Sequence, residues 1–137
     1  MEIRTLGIDL GKTSFHAVGF DAVGTVVLRR RFSRPQLMRF LATLPPCLVG
    51  MEACCGAHHI GRASVAHGHD VRLMPPKYVR PFVKAQKNDY LDAEAIAEAV
   101  QRPTMRFVPL KTVDQLDLQA LHRVRDRSLR VRVAVST

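Results

Sequence analysis

Three short apolar runs follow one another between residues 3 and 32 with only a few turn-forming residues between them, and this constrains the fold more than any other feature of the chain. Residues 3–9 (IRTLGID) read as a first strand. Gly11 with the polar Lys12-Thr13 supplies a turn, and residues 14–20 (SFHAVGF) alternate with the period of a second strand. Residues 21–24 close a hairpin, and residues 25–32 (TVVLRRRF) form a third strand, apolar early and basic late. Strands joined this tightly run antiparallel, because a parallel pair needs a crossover of a dozen or more residues.

The pattern then changes. Ser33 caps a helix with Pro35 in its first turn, and Pro45-Pro46 stops it after Leu44. Residues 47–52 (CLVGME) are a short apolar strand. Residues 56–67 read as a helix stopped by Gly68, and 70–74 (DVRLM) as another strand. Pro75-Pro76 begins a turn into YVRPFVKA, then Asn88 or Asp89 caps a helix over about 90–101. Residues 105–110 (MRFVPL) are extended. Antiparallel strands followed by alternating helices and strands give a mixed-sheet α/β domain. We place it at residues 1–110, with 111–137 as a basic helical linker. In that linker Arg123, Arg125, Arg127, Arg130 and Arg132 accumulate, although LRVRVAV (129–135) also alternates as a strand would.

Lys and Arg number 21 against 12 for Asp and Glu, a net charge of +9, which favours a polyanionic partner, most simply nucleic acid. Lys77, Arg80, Lys84 and Lys87, with Tyr78 and Phe82 among them, read as a phosphate-contacting face or, equally, as a solvated surface; Lys12, Arg123, Arg127 and Arg130 add to the basic set. Three cysteines, two of them adjacent, make a poor disulfide framework and point to a reducing compartment. No apolar run approaches the ~18–20 residues of a membrane span, and the N-terminus reads as a strand rather than a signal peptide. The expectation is a soluble, intracellular protein.

Against this basic background, four acids stand where a metal-dependent phosphodiester chemistry needs them. Asp9 (GIDLG) and Glu52 (GMEACCG) each follow an apolar strand, and Asp89 and Asp92 (KNDYLDAEA) lie three apart on one helix and so face the same way. Carboxylates converging from separate elements hold divalent cations. Each has a plainer reading: a turn aspartate, an exposed strand-end glutamate, a helix cap with a solvated acid. Glu94 and Glu98 read as solvated. Two competing constellations are weaker. GKT at 11–13 lacks the glycine a phosphate loop requires at Leu6. Cys54, Cys55, His58 and His59 crowd into six residues, whereas zinc sites take spaced pairs, so they read as buried thiols and helix-surface histidines.

Taken together, GIDLGKTSFHAVGF, GMEACCGAHH and PPKYVRPFVKAQKNDYLDAEAIAEA resemble the DEDD transposases of bacterial insertion sequences, which include the Piv-type DNA invertases. The resemblance covers roughly residues 3–126. It implies a RuvC-like domain of the ribonuclease H class and a four-acid site at Asp9, Glu52, Asp89 and Asp92. It further implies a pair of magnesium ions (manganese able to substitute), DNA as substrate and a structured guide RNA. The full-length protein would be a homo-oligomer in the bacterial cytoplasm, associated with the nucleoid. It also implies a C-terminal domain carrying a nucleophilic serine, so the chain reads as an N-terminal fragment or a truncated copy. Two alternatives remain: a catalytically silent nucleic-acid-binding remnant, and an actin-like ATPase half-domain, suggested by GIDLGKTS.

Overall fold

Both hairpins close through local polar contacts. Gly11 N–H donates to the Ser14 carbonyl at 3.0 Å. The Asp21 carboxylate accepts from Val23 N–H at 3.0 Å and Thr25 N–H at 2.9 Å, with Gly24 at φ 87°, a left-handed turn position suited to glycine. Gly11 and Thr13 therefore lie between two strands, not at a helix N-terminus. These turns shape the start of a computed structural model that describes residues 2–11, 13–82 and 88–111.

Its strands are β1 (Thr5–Leu10), β2 (Phe15–Phe20), β3 (Val26–Phe32), β4 (Leu48–Glu52) and β5 (Asp70–Met74). Its helices are α1 (Arg34–Thr43), α2 (Cys55–Ala66), the short α3 (Pro76–Val79) continued by a 3-10 turn at Arg80–Phe82, and α4 (Asp89–Ala99). The strands form one sheet in the order β3-β2-β1-β4-β5. β1 and β3 pair antiparallel with β2, while β1-β4 and β4-β5 are parallel. This five-stranded mixed sheet with flanking helices is consistent with the expected ribonuclease H-like class. The expected elements are present with ends shifted by a residue or two. The addition is α3 and its 3-10 turn, where only a turn was expected: Pro76 at the first helical position starts it and the Tyr78 N–H donates to the Pro75 carbonyl. The basic C-terminal extension from residue 112 lies outside the described residues. No helix among the described residues is long and apolar enough to cross a membrane.

Strand alternation divides the core into two layers. Leu6 and Ile8 of β1, Phe15 and Ala17 of β2, and Val49 and Met51 of β4 pack with Leu37 and Leu41 of α1 and Ala57 and Ile60 of α2. Each of the larger aliphatic and aromatic side chains among them contributes about 1.5–3 kcal/mol. α1 is fixed by a reciprocal cap: Ser33 Oγ accepts from Gln36 N–H, and Gln36 Oε1 accepts from Ser33 N–H. His69 ties this layer together, with Nδ1 accepting from Cys47 N–H at 3.2 Å and Nε2 against the Leu41 carbonyl at 2.8 Å.

The opposite face belongs to α4. Ala93 and Ala97 pack on Val18 and Phe20, while Ala95, Ile96, Ala99 and Val100 pack with Met74 and Val79. Alanines on the helix meet glycines on the strands. A Cβ at Gly7 would stand 2.3 Å from the Ala93 carbonyl oxygen, and one at Gly50 would stand 2.8 Å from Val100 Cβ. The close approach of helix and sheet therefore depends on missing methyl groups. Beyond α4, Val108 N–H donates to the Leu73 carbonyl at 2.7 Å, an isolated antiparallel bridge to β5 from a segment expected only to be extended.

Candidate metal centre

The face that receives α4 also receives the acids. Asp9 has the same parity as Gly7 in β1, and Glu52 the same parity as Gly50 in β4. Ile8 is in register with Met51 in the parallel pair, so Asp9 and Glu52 come next, side by side at the ends of β1 and β4. Asp89 and Asp92 occupy the first turn of α4. Asn88 caps that helix, its side-chain oxygen accepting from Tyr90 N–H at 2.9 Å and Leu91 N–H at 3.3 Å. The cap is thus supplied by the carboxamide, which leaves both carboxylates uncommitted to capping.

The acids form two neighbouring sets. In the first, ligand atoms of Asp9, Asp89 and His16 all lie within 4.8 Å of one another. His16 is directly opposite Asp9 across the β1-β2 hairpin, so both side chains project from the same face. Its Nε2 is 3.8 Å from Asp89 Oδ2, its side chain is 12% exposed against 55% for Asp89, and its Nδ1 is buried without a hydrogen-bond partner. In the second set, burial raises the Glu52 carboxyl above the ordinary carboxylate range, the negative Asp92 pushes it further up, and the Arg80 guanidinium pulls it back. Like-charged carboxylates held together in a half-buried place are what a cation relieves. The carboxylate oxygens of Asp9 and Asp89, with the His16 imidazole in the same cluster within 4.8 Å, fit a divalent cation.

Several sequence expectations are corrected. Glu94 and Glu98 are half-buried rather than solvated, and Glu98 pairs with Arg102 at 3.2 Å. They line a surface pocket of about 400 Å³ with Phe20 and Gln101. Cys54 is exposed, not a buried thiol; it precedes α2 at the mouth of the β4 turn. His58 is buried, not on the helix surface, and its Nδ1 accepts from Lys111 N–H at 3.0 Å. Burial, with Lys111 and Arg62 nearby, lowers its pKa. His59 is exposed as expected. Of the basic residues expected on nucleic acid, Lys77 and Arg80 are exposed, and Arg80 acts electrostatically on Glu52. Lys12, Lys84, Lys87, Arg123, Arg127 and Arg130 lie outside the described residues.

Sequence reasoning missed two residues on the acid face. His16 was passed over inside an apolar strand, although counting back through a four-residue turn from Asp9 would have found it. Arg31, exposed on β3, is opposite His16, so Arg31, His16, Asp9 and Glu52 form a row across one face of the sheet.

The chain is thus a basic mixed-sheet α/β domain with carboxylates gathered where strand ends meet a helix N-terminus. The comparisons specify it. Residues 6–137 match the DEDD transposase family of the IS110 type, described as transposase, and the chain belongs to that family. It is 55% identical over 131 residues to the transposase for insertion sequence element IS1328 of Yersinia enterocolitica, covering 96% of this chain and 39% of the relative. It is 45% identical over 134 residues to the transposase for IS1111A of Coxiella burnetii, covering 98% and 37%. The chain thus spans well under half the length of the curated relatives it matches. The family places it with transposases rather than with actin-like ATPases.

Proposed function

We propose that this chain is the metal-binding, phosphodiester-directed domain of an insertion-sequence transposase, with Asp9, Glu52, Asp89 and Asp92 as its cation ligands. The observation that carries the proposal is the convergence of acids from β1, β4 and α4 on one face. Ligand atoms of Asp9 and Asp89 lie within 4.8 Å of one another, and burial, then Asp92, raises the Glu52 carboxyl. Divalent cations, magnesium by the family resemblance, would when bound promote the attacking oxygen and stabilise the leaving one.

The chain's own residues divide the remaining work. Asp9 and Glu52, fixed on adjacent strands, set a rigid floor, while Asp89 and Asp92 arrive together on α4, whose positive N-terminal dipole steadies their charge. Arg80 and Arg31 flank the acids and would hold the phosphate backbone without reading bases. DNA is the partner that the family and the +9 charge favour. A structured guide RNA, and a nucleophile from a further part of the full-length protein, follow from the resemblance.

The test is calorimetric titration of this chain with magnesium and manganese, beside the Asp9→Ala/Asp92→Ala double variant. Binding by the parent chain and its loss in the double variant are expected. Equal behaviour of the two would replace the catalytic reading with a nucleic-acid-binding remnant.

A further inference from the structure

We infer that His16 is itself a cation ligand, and that its nitrogen makes the Asp9–Asp89 position prefer a manganese-class transition ion over magnesium. This rests on the metal-centre reading above and adds to it a residue outside the four-acid set.

Three histidines of the described core, His58 and His69 buried and His16 partly buried, differ in what their rings do. His69 has both ring nitrogens against backbone groups, at 3.2 and 2.8 Å. His58 accepts from Lys111 N–H at 3.0 Å. Each is a structural histidine with its polarity satisfied. His16 is different: Nδ1 is buried with no partner, and Nε2 meets the Asp89 carboxylate only at 3.8 Å, beyond hydrogen-bond reach. Nε2 is the nitrogen on the carboxylate side; at 3.8 Å it makes no hydrogen bond to Asp89, and with the ring proton on Nδ1 its lone pair is offered to a cation.

Geometry says what that is. The hairpin register sets His16 beside Asp9, and its ligand atom lies within 4.8 Å of those of both Asp9 and Asp89. The Tyr90 ring stands edge-on to the imidazole, with centroids 4.8 Å apart and planes at 89°, and so limits its rotation. Three donors from β1, β2 and α4 then surround one point, two of them carboxylate oxygens and one an imidazole nitrogen. Magnesium strongly favours oxygen donors in a regular octahedron. Imidazole suits first-row transition ions, and manganese is the one of these that also shares magnesium's carboxylate-oxygen sites.

The experiment uses the 137-residue chain with manganese and magnesium titrated separately by calorimetry, and pulsed electron paramagnetic resonance of the manganese-loaded protein. Tighter binding of manganese than magnesium, by about 10-fold or more, is expected, with a directly coordinated nitrogen in the resonance spectrum. His16→Asp, checked for folding by circular dichroism, should bring the two affinities within about 3-fold and abolish the nitrogen coupling, because it restores an all-oxygen donor set. Absence of nitrogen coupling in the parent protein overturns the inference whatever the variant does, as does an unchanged manganese-to-magnesium ratio in folded His16→Asp. The two readings separate through Asp9→Asn. If that variant loses manganese while the parent shows no nitrogen ligand, the carboxylate centre stands and the role of His16 falls. If it binds as the parent does, both fall.

Discussion

Replacing Gly7 with alanine should damage the site although Gly7 touches no ligand. The new Cβ would stand 2.3 Å from the Ala93 carbonyl oxygen, 2.5 Å from the Ala97 nitrogen and 2.8 Å from Ala97 Cβ. A carbon and a carbonyl oxygen approach comfortably only at about 3.3 Å, so α4 must retreat by roughly 1 Å. The colliding atoms are helix backbone and cannot rotate away. Overpacking of this kind costs roughly 1–3 kcal/mol, and the backbone clash argues for the upper half of that range. At roughly 4–8 °C per kcal/mol in a domain this size, the melting temperature should fall by about 10–20 °C. The same retreat separates Asp89 and Asp92 from Asp9 and Glu52, so divalent affinity in the surviving folded protein should drop about 10-fold or more, as when supports of a metal site are removed. Two controls accompany it. Gly50→Ala meets Val100 Cβ at 2.8 Å, a looser clash than the 2.3 Å approach to the Ala93 carbonyl and one at the end of α4, and should cost less than Gly7→Ala. Gly56→Ala lies within α2 with only Leu10 Cδ2 at 3.4 Å, and should be neutral or gain about 0.5–1 kcal/mol. Thermal melts followed by circular dichroism, with metal titrations on the same samples, read all three. A Gly7→Ala melt within 2–3 °C (about 0.5 kcal/mol) of the parent would refute the close-packing argument.

Three further outcomes follow from the same structure. Because burial and Asp92 raise the Glu52 carboxyl in the native state, the folded protein holds that proton more tightly than the unfolded chain and loses stability as pH rises through the native pKa. Without added cations, Glu52→Gln should therefore be the more stable protein at pH 7 by urea denaturation, an advantage that disappears below about pH 4, under the unfolded value; a destabilised variant at pH 7 would contradict this. Burial pushes the Cys47 thiol up to about 11, whereas Cys54 is exposed. In a Cys55→Ser background, mass spectrometry after iodoacetamide treatment should find Cys54 modified and Cys47 modified only after denaturation. His69→Ala removes a buried ring bound at both nitrogens and should lower the urea midpoint by the equivalent of about 2–4 kcal/mol; a loss below about 1 kcal/mol would show that neither bond matters.

The parts of the fold legible in the sequence were those set by local chemistry. Strands of six or seven residues between turns, Ser33 ahead of α1, and Pro45-Pro46 after it all announce themselves through backbone preferences that need no tertiary partner. What failed was decided across space. His16 looks like one polar residue in an apolar strand until the length of the Gly11–Ser14 turn puts it opposite Asp9. His58 lost its expected exposure because Lys111 of a segment some 50 residues later packs on α2, which leaves no local trace. Glu94 and Glu98 lost their solvent to the same tight seating of α4 that the alanine pattern made possible. The four acids were visible as types and spacings; their grouping into Asp9 with Asp89, and Glu52 with Asp92, was not.

The alternation of β1 and β4 makes the sheet a partition wall. Leu6, Ile8, Val49 and Met51 look one way; Gly7, Asp9, Gly50 and Glu52 look the other. Repacking behind the wall, as by Ile8→Leu or Val49→Ile, can proceed without the chemistry on the far side noticing, so the hydrophobic layer is free to drift between related elements while the acid layer stays still. A frame slip by one residue in β1 does the reverse. It turns leucine and isoleucine toward α4 and carries Asp9 into the oil, erasing core and site at one stroke. Gradual change is absorbed on one side of the wall, and only an insertion or deletion reaches both.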